Sequence, residues 1–356
     1  MYALIMAGGS GTRFWPESRR LRPKQLLTIS GDRSMIRATV ERIVPVIPFN
    51  RIMVVTGEIH AEEVKRQLPE LAHQMIVAEP QGKNTAACVA LAAYKIFKDD
   101  PDAVMAVLPA DHLIQKEEAF LHTLKSAIRA ASQGDYLITF GVLPNRPETG
   151  YGYIELGSPA FEIDTHEIFK VERFVEKPDR ATAESYIASG RYLWNSGMFV
   201  WKAATIVKAF QELLPSVNDP IQAIVPNLNT SEEAEAVARA YQEIESISVD
   251  YGILVRAENV VTIPLDVGWD DVGSWASLDK VWDCDEDGNA TKGLGLIVDG
   301  KGCIVSSPQK VAIILGVDEL IVVDTPDALM VCRKDRAQDV RRVQEILKER
   351  GYEDLL

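Results

Sequence analysis

Gly8, Gly9 and Gly11 follow directly on the apolar run Tyr2–Ala7, and Arg13 and Lys24 come soon after. Glycine lets backbone N–H groups turn toward an anion with no Cβ in the way. A guanidinium then adds a planar fork of donors, and an ammonium adds a point charge. Such a set suits a triphosphate. Between residues 4 and 27, Arg13, Arg19, Arg20, Arg22 and Lys24 crowd around the single acid Glu17. Yet the 356-residue chain has 52 acidic and 38 basic side chains and a formal net charge of −14. The positive charge is therefore local, and the acidic whole argues against a nucleic-acid binder, which needs a broad basic face.

Two phosphate-binding patterns do not fit this loop. A P-loop requires GxxxxGK[ST], and no Lys-Ser or Lys-Thr follows these glycines. The dinucleotide fingerprint requires a third glycine where this chain has Phe14, so hydride transfer loses ground. A glycine-rich turn with solvated arginines remains the plain reading of the bare GGxGxR string.

Four later stretches carry candidate chemistry, each beside an ordinary reading. VLPADH ends an apolar run in Asp111. Such an acid commonly caps a helix, but the carboxyl end of a central strand is also where a doubly wound sheet places ligands. Magnesium prefers one or two carboxylates together with phosphate oxygens. LDVGWDDVGSW offers Asp266, Asp270 and Asp271, which read by themselves as solvated acids of a glycine-bounded turn. FVEKP (Phe174 to Pro178) reads as a strand end, while NSGMF (Asn195 to Phe199) and the Gly150 of ETGYGYI read as loop residues. EPQGKNTA (Glu79 to Ala86) opens a helix. A helix N-terminus can hold an anion, and Gln81, donor and acceptor together, could equally read a base edge. The four cysteines and five histidines show no CxxC, HExxH or zinc-ligand spacing. The cysteines read as reduced packing residues.

The elements that must position these residues alternate along the first half. Apolar runs at 2–7, 52–57, 75–79, 103–111 and 136–142 are separated by helical periodicity at 35–46, 62–68, 85–97 and 119–131. Continuous apolar strands between helices predict a doubly wound, mostly parallel α/β sheet covered on both faces. Ser34 reads as an N-cap, and Thr230 with Glu233 as a capping box. After residue 143 the pattern predicts antiparallel strands flanking the carboxyl edge of that sheet. From about residue 285 it predicts a small β-rich domain with a closing helix at 336–350, giving domains 1–284 and 285–356.

The string GGSGTRFWPESRRLRPK resembles the GGxGTRxxP…PK signature of the sugar-phosphate nucleotidyltransferases, placed directly after the first strand. More narrowly it is similar to the mannose-1-phosphate guanylyltransferases, which usually read GTRLWPLSR…PKQ. Phe14 and Glu17 depart from the usual leucines, at positions not expected to touch phosphate. The resemblance covers residues 1 to about 280 and, more loosely, the remainder. It implies a Rossmann-like catalytic domain and a β-helix-like C-terminal domain. It implies that Gly8, Gly9, Gly11, Thr12, Arg13, Gln81 and Gly82 bind the nucleotide, with guanine read near Gln81. It implies that Gly150, Glu176, Lys177 and Asn195 bind the sugar phosphate. Arg13, Lys24 and Lys177 are the implied catalytic charges. Asp111 and Asp271, the latter within W-x-D-[TV]-G, are the implied Mg²⁺ ligands, with Asp270 as the rival of Asp271.

The reaction implied is formation of GDP-mannose and pyrophosphate from GTP and mannose 1-phosphate, by metal-assisted in-line attack on the α-phosphorus. Some relatives carry an additional cupin domain for phosphomannose isomerisation, and this chain is expected to have the single activity. Two alternatives stand beside it: a related enzyme using another hexose or NTP, and a catalytically silent nucleotide-sugar sensor. No run approaches the roughly 18 apolar residues of a membrane span, and no leader is visible, so a cytoplasmic location is expected. A homodimer is expected because the apolar C-terminal strands need covering.

Overall fold

The computed structural model describes residues 1–9 and 11–356; Ser10, inside the glycine loop, lies outside the described residues. In chain order the strands are β1 (Tyr2–Ala7), β2 (Ile52–Gly57), β3 (Ile76–Glu79), β4 (Val104–Pro109), the two-residue β5 (Leu113–Ile114), β6 (Leu137–Val142), β7 (Gly152–Ile163), β8 (His166–Glu176), β9 (Tyr192–Lys202), β10 (Val260–Leu265), the two-residue β11 (Trp269–Asp270), β12 (Ala290–Val298), β13 (Ile304–Leu315), β14 (Leu320–Asp324) and β15 (Leu329–Arg333). The helices are α1 (Met35–Ile43), α2 (Ala61–Gln67), α3 (Asn84–Asp99), α4 (Glu117–Gln133), α5 (Arg180–Ser189), α6 (Ala203–Leu213), α7 (Pro215–Ala223), α8 (Glu233–Glu243) and α9 (Val340–Glu349). The chain divides into two compact units: Met1–Gly8, Thr39–Ala110 and Ile114–Trp269 form the first, and Gly9–Ala38, Asp111–Leu113 and Asp270–Leu356 the second.

The first unit is built on a nine-stranded sheet in the order β3-β2-β1-β4-β9-β6-β10-β8-β7. The β3-β2-β1-β4 half is parallel. Successive residues Ala3, Leu4 and Ile5 are all fully buried, because helices cover both faces. On one face Leu4, Met53 and Val107 pack against the alanine-rich α3, backed by Ile206, Phe210 and Tyr241. Each fully buried large apolar side chain contributes about 1.5–3 kcal/mol. Of the antiparallel strands predicted beside this sheet, β8 and β7 join it at one margin, whereas β9 runs antiparallel in its interior between β4 and β6. The apolar stretches either side of Asn195–Gly197 in LWNSGMFVW suit a sheet's interior as well as its margin.

The helix starts also differ in part from expectation. Ser34 Oγ accepts from Arg37 N at 3.4 Å, as a cap should. Thr230 Oγ1 instead accepts from Glu232 N, and the Glu233 carboxylate takes Asn229 N and pairs with Lys95, so no reciprocal box forms. The buried Lys95 ammonium draws the acid away.

In the second unit β12 pairs parallel with β13, β13 parallel with β14, and β14 antiparallel with β15, followed by α9. Its core is shared by both ends of the sequence: Phe14, Trp15, Leu27 and Ile29 pack with Ile304, Ile321, Val323 and Val340. Trp15 Nε1 donates to Leu355 O at 2.8 Å, and Gln344 Nε2 to Thr12 O at 3.0 Å. The glycine loop is thus anchored by the C-terminal strands and helix. All four cysteines are unpaired; Cys88 and Cys303 are buried, whereas Cys284 is exposed and does not serve as the packing residue expected. Among the described residues, no helix is long and apolar enough to cross a membrane.

Candidate active site

In the second unit the loop after β1 turns through Gly9 at φ +97° and Gly11 at φ +56° into a short 3₁₀ turn, Thr12–Phe14. Gly11 is required twice over. Its backbone is left-handed, and a Cβ there would stand 2.3 Å from the Lys24 backbone nitrogen. The close approach seats Lys24, whose side chain is only 8% exposed. Its Nζ donates to Asp111 Oδ2 at 2.8 Å and to the Asp271 carbonyl oxygen. Three residues far apart in sequence therefore meet at one ammonium. Arg13 Nη1 donates to Gly273 O at 3.0 Å, beside the Asp271 carboxylate, which would lie 3.1 Å from a Cβ on Gly273.

Burial works against the Asp111 charge, but the neighbouring Lys24 and His112, with the Lys24 hydrogen bond, outweigh it and hold this carboxyl below its usual range. Asp270, the rival of Asp271, is buried, and its Oδ1 accepts Val272 N at 2.7 Å. That bond supports Val272 at φ +45°, a conformation costly for a β-branched residue. Asp270 shapes the turn. Asp111 and Asp271 offer two carboxylates with backbone oxygen and no sulfur, which fits a hard divalent cation that also takes phosphate oxygens and waters.

In the first unit the residues expected at the sugar phosphate gather where β7, β8 and β9 run together. Gly152 pairs with Glu176 across β7 and β8, and a Cβ on Gly152 would lie 2.7 Å from Glu176 Oε2 and 3.5 Å from Asn195 Cβ. Lys177 adopts φ +45°, donates its backbone N–H to Tyr151 O, and holds its exposed Nζ 3.3 Å from Glu176 Oε1. Gly150 N–H, expected at the sugar, is donated here to Glu148 Oε1 at 3.1 Å. Tyr151 stacks edge-on against both Trp194 and Trp269 at 5.2 Å, giving this wall an apolar base. Gln81 Nε2 donates to Tyr241 O at 2.7 Å, and a Cβ on Gly82 would meet nothing within 4 Å. Glu79, at the end of β3, is buried, accepts from Tyr241 Oη at 2.9 Å, and is pushed up to about 7 by burial, against the opposing effect of that bond.

Comparisons with known proteins place the chain in a family. A nucleotidyl transferase family model matches residues 2–287, and a MannoseP isomerase/GMP-like beta-helix domain model matches 295–347. The mannose-1-phosphate guanylyltransferase of Klebsiella pneumoniae is 39% identical over 97% of this chain and 74% of its own length. The chain belongs to the mannose-1-phosphate guanylyltransferase family of nucleotidyl transferases. The alginate biosynthesis protein AlgA of Pseudomonas aeruginosa is 36% identical over 99% of this chain and 73% of its own. A crystal structure described as mannose-1-phosphate geranyltransferase, from Thermus thermophilus, superposes with a TM-score of 0.87 at 35% identity, covering 98% of this chain and 99% of that one.

Two residues of this family member escaped the sequence reading. Glu79 was visible only as the start of EPQGKNTA, and its burial could not be foreseen. Asp250 gave no signal, because SVDYGIL reads as an unremarkable turn into an apolar run. In the structure Asp250 Oδ1 accepts from Asn195 Nδ2 at 2.7 Å.

Proposed function

We propose that this chain joins GTP and mannose 1-phosphate to form GDP-mannose and pyrophosphate. The observation that carries the reaction type is the meeting of Lys24 Nζ with the Asp111 carboxylate and the Asp271 carbonyl, beneath a glycine loop that carries Arg13. The choice of sugar and base is supported by near full-length similarity to guanylyltransferases.

A phosphate oxygen of the sugar phosphate forms a bond to the α-phosphorus of GTP. The bond from that phosphorus to the bridging oxygen breaks, and its electron pair leaves with pyrophosphate. The attacking oxygen is already anionic at neutral pH, so no side chain need remove a proton and no covalent intermediate is required. The protein supplies position and charge. Backbone N–H groups at Gly8, Gly9, Gly11 and Thr12, with Arg13 and Lys24, take the triphosphate. Gln81 and Gly82 take the base. Glu176 accepts from sugar hydroxyls, Asn195 and Gly150 hold the ring, and Lys177 takes the sugar phosphate. Asp111 and Asp271 would hold Mg²⁺, which would offset the negative charge of the phosphate oxygens.

We further place the boundary of the catalytic and C-terminal domains at 284/285, which is supported by the start of β12 at Ala290 and by the parting of the two family models between 287 and 295. A cytosolic homodimer completes the proposal. Support for the dimer is an uncovered apolar face: Leu296 aligns with Ile313 and Val298 with Leu315, all between 37% and 67% exposed. The test of function is pyrophosphate release across four NTPs and three sugar 1-phosphates, with Mg²⁺ and with chelator. Turnover confined to GTP and mannose 1-phosphate is expected, and turnover confined to another pair would overturn the substrate assignment.

A further inference from the structure

Asn195 sits on β9 with both ends of its amide engaged. Nδ2 donates to Asp250 Oδ1 at 2.7 Å, and Oδ1 accepts from Gly197 N at 3.2 Å. Turning the amide over would set its oxygen against the Asp250 carboxyl and its NH₂ against the Gly197 N–H, losing both bonds at once. Gly197 stands at φ +67°, a left-handed turn that brings its N–H back to the Asn195 side chain. The lock therefore comes from two directions, one near in sequence and one 55 residues away.

We propose that Asp250 is a positioning residue of the sugar side: it fixes which end of the Asn195 amide meets the sugar hydroxyls beside Glu176. The inference rests on the sugar-phosphate reading of Glu176 and Asn195. Asp250 begins a single π-helical turn, Asp250–Leu254, and Val255 N closes onto its carbonyl at 2.9 Å. Such turns inside helical segments are often found at functional sites. This one is packed from below, since a Cβ on Gly252 would lie 2.6 Å from Leu214 Cδ2. The carboxyl is thus carried on a seat that cannot slide without disturbing the core. Burial raises the Asp250 carboxyl above its usual range, opposed by the Asn195 bond, while the nearby Glu176 charge adds to the rise. A Cβ on Gly152 would lie 2.7 Å from Glu176 Oε2 and 3.5 Å from Asn195 Cβ, so Glu176 stands beside the amide that Asp250 holds.

The test is steady-state kinetics of Asp250→Ala, Asp250→Asn, Asn195→Ala and the double variant D250A/N195A, with each KM measured separately. D250A should raise the KM for mannose 1-phosphate about tenfold and leave the KM for GTP within twofold. D250N, whose carbonyl oxygen can still accept from Asn195, should stay within threefold of wild type. The double variant should match N195A alone, because the effect of Asp250 passes through that amide. An unchanged sugar KM in D250A, equal rises in both KM values, or multiplicative effects in the double variant would overturn the proposal. If wild type turns over a different sugar 1-phosphate, the mannose reading fails, and the same comparisons made with that sugar decide on Asp250.

Discussion

Gly11 and the backbone of Lys24 approach so closely that a methyl group on the glycine would stand 2.3 Å from the lysine nitrogen. The glycine loop and the lysine that reaches Asp111 are one packed unit. Gly11→Ala adds both a left-handed strain and a clash with main chain, which cannot swing aside. It should cost about 1–3 kcal/mol in urea denaturation and lower kcat at least tenfold. An active variant of wild-type stability would separate the loop from the lysine.

Glu79 gives a pH prediction. Its folded value of about 7 lies above the ordinary 4.5, so between these values the folded chain holds a proton that the unfolded chain has released. Stability contributed by the neutral acid is full below about 4.5 and is lost as pH rises toward 7. At about 1.4 kcal/mol per pH unit, the loss comes to about 3 kcal/mol. Glu79→Gln keeps an acceptor for Tyr241 and removes the titration. Relative to wild type it should gain about 3 kcal/mol on going from pH 4.5 to pH 8 in denaturant titrations. A constant difference across that range would show that Glu79 is ionised when folded.

The shared core ties the C-terminal strands to the glycine loop. Ile321→Ala removes a fully buried side chain from the cluster that holds Phe14 and Trp15, and should cost about 2–5 kcal/mol. Removing residues 285–356 should uncover Phe14 and Trp15 and abolish pyrophosphate release. The same truncation retaining full turnover would show that the loop needs no support from that side.

Gly152 tests the proposed assignment of Glu176 to the sugar. A Cβ there would lie 2.7 Å from Glu176 Oε2, forcing the carboxylate to move. Gly152→Ala should raise the KM for mannose 1-phosphate five- to twentyfold with the KM for GTP unchanged. A change in the GTP constant alone would assign Glu176 to the nucleotide.

Much of this molecule was legible in the sequence, because burial on both faces writes strands such as LIMA and IMVVT as unbroken apolar runs. The glycine loop was legible because glycine marks positive φ. What the sequence withheld were relationships between distant residues. That Asp111 and Asp271 meet at Lys24, that Asp270 is used in shaping a turn, and that Asp250 holds Asn195 all depend on which strands lie side by side. The central place of β9 was equally hidden, since pairing direction leaves no trace in hydrophobicity. Thr230 and Glu233 had the spacing of a capping box, but a buried Lys95 outcompeted the local bond.

The most direct test of the account is pyrophosphate release from GTP and mannose 1-phosphate by Asp111→Asn and Asp271→Asn, each checked for a wild-type unfolding midpoint. Each variant should lose at least a hundredfold in kcat, and the double variant should lose little more, since both acids serve the same charge centre. Wild-type turnover in either folded variant would contradict the claim that the reaction takes place where Lys24 meets the two aspartates.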